Sequence, residues 1–97
     1  MRVPSVPSGT APSQQIMPTD ANCRVYHVVI SNPSAVQVWI SDNQAALDAS
    51  VVGGVPQVGH VIQPNSNPIY FGKVKSLQYA RSSGPGASIE CTAYPDC

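Results

Sequence analysis

Between Arg24 and Ser41 apolar and polar positions alternate with period two, in two runs separated by a break. In the first run Tyr26, Val28 and Ile30 share one face and Val25, His27 and Val29 the other. In the second, Val36, Val38 and Ile40 alternate with Gln37, Trp39 and Ser41. Period-two alternation of β-branched and aromatic residues is the signature of strands whose one face packs on a core. The break, Ser31-Asn32-Pro33-Ser34-Ala35, is rich in turn-formers and lacks a backbone donor at Pro33, so the chain leaves the ladder there. The pattern predicts a β-hairpin.

Asp42 to Ser50 holds the only helix-favouring stretch, and nine residues are marginal for a helix, so a loop or a single helical turn is expected. Val51 to Val58 is broken by Gly53-Gly54 and Pro56, which leaves fragments of edge strand or an ordered loop. His60 to Gln63 and Ile69 to Phe71 read as short strands on either side of the turn cluster Pro64 to Pro68. Ser76 to Ala80 is read as a strand with Leu77 and Tyr79 inward, and Arg81 to Gly86 as a turn. Ala87 to Tyr94 places Ile89, Cys91 and Ala93 on one face and closes a second hairpin with the strand before it. About six or seven short strands at regular spacing, with no substantial helix, predict an all-β antiparallel sandwich, jelly-roll-like or Ig-like, or a small barrel.

Composition changes the picture mainly at the surface. The 97 residues make one domain, burying roughly 60 to 65% of the unfolded surface. Charged residues amount to 10%, against roughly 25% in typical soluble domains, which suits contact with other protein. Lys+Arg and Asp+Glu cancel at 5 each, and Lys73, Lys75 and Arg81 make no patch able to neutralise a nucleic-acid backbone, so no nucleic acid is expected. No apolar run is long enough to span a bilayer, and the first 15 residues lack an apolar signal-peptide centre, so neither a membrane nor secretion by that route is expected.

Residues 1–21 carry four prolines and three serines and almost no charge. They read as an extended arm preceding a sandwich at 22–97. An extended arm stays ordered only where something ties it down, and the expectation is that it lies on a neighbouring subunit through Val3, Val6, Ile16 and Met17. An arm folded back on its own domain is the alternative.

The candidate chemistry is sparse. His27 and His60 lack partners at metal-ligand spacing, and the five acids Asp20, Asp42, Asp48, Glu90 and Asp96 fall in turns, tails or solvated strand faces. No catalytic residue, metal or cofactor is expected. Cys23 and Cys91 read as reduced and packed, with a bridge between them as the alternative, and Cys97 ends the sequence. Trp39 carries three readings: a second core layer beneath residues 42–58, an interface anchor, or a sugar platform joined by Tyr70 and Tyr94 if the fold brings them together.

The order of features resembles small bacteriophage virion proteins: Gln15 to Met17, the strands RVYHVVISN and VQVWIS, HVIQPNS at His60 to Ser66, IYFG, and SLQYARSSGPGASIECTAY. The likeness covers roughly residues 14 to 94 and departs from the pattern in its long Pro/Ser arm and in Pro64-Asn65-Ser66 in place of a Pro-Gly turn. It implies a non-enzymatic structural protein of the virion, assembled in the bacterial cytoplasm. The expected role is capsid cement or decoration, as a homo-oligomer, a trimer before a dimer, bound to the major capsid protein or another virion protein. A tail, baseplate or head-fibre component is the alternative, and a receptor- or glycan-binding sandwich module the reading from another class.

Overall fold

The computed structural model describes residues 2–17 and 25–96. In chain order its elements are β1 (Arg2–Val3), β2 (Gln14–Gln15), β3 (Tyr26–Ser31), β4 (Val38–Ser41), α1 (Gln44–Ala49), β5 (His60–Ile62), β6 (Ile69–Val74), β7 (Tyr79–Ser82) and β8 (Ile89–Pro95). Four antiparallel pairings nest one inside the next: β1 with β8, β2 with β7, β3 with β6 and β4 with β5. Two more, β3 with β8 and β4 with β7, roll this doubled ribbon into two four-stranded sheets ordered β1-β8-β3-β6 and β2-β7-β4-β5. The protein is a β-sandwich, and this strand order is that of an eight-stranded jelly roll rather than an Ig-like sandwich.

The core lies between the sheets. Tyr26, Val28 and Ile30 of β3, Val38 and Ile40 of β4, and Ile89 and Cys91 of β8 fill it, as alternation predicts. The hairpin expectation fails for both pairs of strands. β3 belongs to one sheet and β4 to the other, and β7 and β8 are likewise in opposite sheets. Asn32 explains the first case. Its buried amide donates to the carbonyls of Val36 and Ile62, and its Oδ1 accepts from the amide and hydroxyl of Ser34. That network turns the chain from one sheet into the other. The crossing from β5 back to β6 docks on it, with Ser66 N donating to Asn32 O and Ser66 Oγ accepting from Asn32 N.

Residues 76–82 differ by one position from the expected register. Gln78 and Ala80 point inward while Leu77 is exposed, and Arg81 and Ser82 continue β7 instead of turning. Ser82 is held by the opposite terminus, its amide donating to Pro7 O at 2.8 Å.

The largest correction concerns the N-terminal segment. Residues 2–17 are not an arm on a neighbour: β1 and β2 are outer strands of the two sheets of the same chain, so the division at residue 21 separates parts of one sandwich. Val3, Val6, Ile16 and Met17 are all buried in the common core, which withdraws them as interface residues. Val6 N donates to Ala87 O at 2.9 Å and Ile16 N to Gln78 O at 3.0 Å, fixing the segment at both ends. The physical reason is core size. A short chain gains about 1.5–3 kcal/mol for each such side chain buried, and its own sheets offer the nearest apolar surface.

A third layer covers the outer face of β4 and β7. Helix α1, capped by Asn43 Oδ1 accepting from Ala46 N, buries Leu47 and presents Asp48 to Arg81. Beyond it, Val52 and Val55 pair across Gly53-Gly54, both at positive φ (60° and 82°), as a two-residue type I′ turn requires.

Candidate binding cleft and its polar surroundings

The sheets part at the edge formed by β5 and β6, leaving an open cleft of about 510 Å3. Ile40, Ser41, Asp42, Gly59 and His60 form one wall, Phe71, Lys73, Val74 and Lys75 the other, and Ser76 and Gln78 the end. A register shift opposite Val28 and Val29 leaves Phe71 as an extra residue in β6, so Phe71 and Val74, three positions apart, both pack against the core, and that wall is apolar at its base and cationic at its rim. His60 and Phe71 meet across the gap edge to face, with ring centroids 5.2 Å apart and planes at 81°. Gly59 has φ +102°, and a Cβ there would stand 2.9 Å from Ile40 O, so only glycine lets the two segments of that wall approach so closely.

Lys73 connects the cleft to a second group on the outer face of the first sheet. Its ammonium lies 3.1 Å from Asp96 Oδ2, which also meets His27 Nε2 at 3.2 Å, and His27 Nδ1 lies 2.8 Å from the Tyr70 hydroxyl. The Lys73 hydrogen bond and charge, with His27 adding to them, hold Asp96 below the usual carboxylate range. An ionised Asp96 only accepts, so Nε2 carries the proton. In the neutral ring Nδ1 then accepts from Tyr70. The Tyr70-His27-Asp96 order resembles a nucleophile, base and orienting acid, but it lies on an exposed strand face outside the cleft, where water screens all three groups.

The sequence-predicted residues are dispersed. Trp39 is 6% exposed and sits on the covered face of β4, opposite Arg81 in register, which is the second-core-layer reading; it is neither an exposed anchor nor part of a sugar platform. Tyr94 and Tyr70 do share a face, flanking β3 opposite His27 and Val29. Cys91 is buried and burial pushes its thiol up, while Cys23 and Cys97 lie outside the described residues. Arg81 is the residue that sequence reasoning missed: read as a turn residue, it is buried, donating to Asp48 Oδ1 at 2.8 Å and to Gly9 O at 2.6 Å. Asp48 also accepts from Ser13 N and Oγ, so the pair ties α1, β7 and the β1–β2 connection together.

No family model, curated protein or solved structure matches the chain. Among the described residues no three His, Cys, Asp or Glu side chains cluster as a metal site would need, and no helix is long and apolar enough to cross a membrane.

Proposed function

We propose that the protein is a structural component of a bacteriophage virion, a cement or decoration protein that docks on capsid subunits and carries out no reaction. One observation carries this reading. Val52 (68% exposed), Val55, Val58 and Val61 stand out along the α1–β5 connection and β5, and Ile69 and Tyr70 (62%) stand out on β6. A chain with 10% charged residues that leaves such a series of apolar side chains in water is suited to burying them against another protein. Docking through the β5–β6 side replaces a clamp built on the N-terminal segment, whose apolar residues are already used internally. Repeated copies on a symmetric shell add modest contacts into firm attachment.

The test is co-sedimentation of purified protein with assembled capsids that lack it. The wild type pellets with the capsids. Val52→Ser with Val55→Ser, substitutions outside the core, leaves folding unchanged and abolishes pelleting. Equal pelleting by wild type and variant, or no association with capsids while isolated tails are bound, overturns the cement reading.

A further inference from the structure

We propose that the cleft between the sheets at the β5–β6 edge is a binding site for a neutral, hydroxyl-rich saccharide. This is independent of capsid docking, which uses the apolar side chains outside it.

Charge is the first argument. The ammonium groups of Lys73 and Lys75 are matched by the carboxylates of Asp42 and Asp96, two against two, with Lys73 already engaged by Asp96 at 3.1 Å. A phosphate or another strong anion would meet Asp42 at the opposite wall and gain little net attraction. Neutral hydroxyl groups fit better, since each both donates and accepts. Lys75 offers donors, Asp42 acceptors, and neither has an ion-pair partner among the described residues.

Shape and wall chemistry narrow the class further. The roughly 510 Å3 volume lies within the range of about 300–1,000 Å3 usual for small-ligand sites. A planar aromatic ligand needs a flat slot, and His60 and Phe71 meet at 81°, so they provide no parallel pair to sandwich one. A lipid tail needs a dry apolar tunnel, whereas this cleft is open and rimmed by polar groups. A sugar ring combines an apolar C–H face with hydroxyls at its edge, and the cleft combines the apolar base of Phe71 and Val74 with the polar rim of Asp42 and Lys75. The close approach of Gly59 to Ile40 O keeps one wall fixed before binding, which lowers the ordering cost of a weak ligand.

The experiment is an amide chemical-shift titration of the full chain with lactose, maltotriose, cellotriose and chitotriose. At least one saccharide gives saturable shifts confined to Ser41, Gly59, Lys75 and Ser76, with a Kd of about 1 mM or below. Asp42→Ala and Lys75→Ala, both exposed and outside the core, each weaken it about tenfold, in the range of one lost charge-assisted hydrogen bond. Val52→Ser binds as wild type. The proposal is overturned if none of the four saccharides moves these amides, if the shifts centre on Tyr94 instead, or if the two cleft variants bind unchanged. Inorganic phosphate saturating the same amides at lower concentration than any sugar also overturns it.

Discussion

Replacing Ile16 by alanine separates a self-contained sandwich from one completed by a neighbour. Ile16 is 0% exposed, follows β2 directly and belongs to the core cluster with Val3, Val6 and Met17. Truncating a fully buried isoleucine removes about 2–5 kcal/mol, the transfer free energy plus the cost of the cavity. A loss of about 3 kcal/mol corresponds to a fall in Tm of about 12–24 °C for a domain of this size. Trp39, the single tryptophan, is buried on β4 and reports unfolding by its fluorescence. The assay is urea and thermal unfolding of wild type and Ile16→Ala, each at two protein concentrations a hundredfold apart. An internal contact gives the same loss at both concentrations, because no association is linked to folding. A loss below about 1 kcal/mol, or one that deepens on dilution, refutes the assignment of residues 2–17 to their own core.

Three further outcomes follow from particular contacts. Asp48→Ala strands the Arg81 guanidinium, whose side chain is 3% exposed, and costs about 3 kcal/mol in urea unfolding, whereas Arg81→Met with Asp48→Ala recovers much of that loss. Asn32→Ala leaves the Val36 and Ile62 carbonyls and the Ser34 amide without their donors and acceptor, lowering stability by about 2–4 kcal/mol and speeding hydrogen exchange at Ser34 and Ser66. Asp96, held below the ordinary carboxylate range, stabilises the fold above the unfolded-state pKa of about 3.9, and that stabilisation is lost as pH falls through its lower folded value. Carboxyl-carbon titration by NMR places its midpoint below that reference, and Lys73→Ala brings it back up.

Alternation alone identified the inward faces of β3, β4 and β8: a one-residue slip would move Val28 or Cys91 to the more exposed face of its sheet, and in β4 it would set Gln37 and Ser41 in the core in place of Val38 and Ile40. It could not say which sheet each strand joins. A turn of Asn, Pro and Ser looks the same whether it closes a hairpin or carries the chain across a corner, and the difference lies in where the Asn32 amide finds its acceptors, 30 residues away at Ile62 in one case. β1 and β2 were illegible for another reason. Strands of two residues separated by prolines have no periodicity to read, so their burial depends on the edges that β8 and β7 offer. The register of residues 76–82 was misread because the inward positions hold Gln78 and Ser82, polar side chains that pattern reading assigns to solvent. The same rule hid Arg81. Its partner Asp48 sits 33 positions earlier on a helix that sequence propensity barely supports. The cleft left no local signal either, since its walls come from β4, β5 and β6 at a place where the two sheets separate.

Hydrogen exchange read by mass spectrometry, at a dilution that keeps copies of the chain apart, tests the central claim most directly: one chain closes both sheets by itself. Amides of Val6 and Ile16, bonded to Ala87 and Gln78, are then protected together with those of β3 and β8 and lose protection in the same cooperative step. Rapid exchange across residues 2–17, with 25–96 still protected, contradicts it.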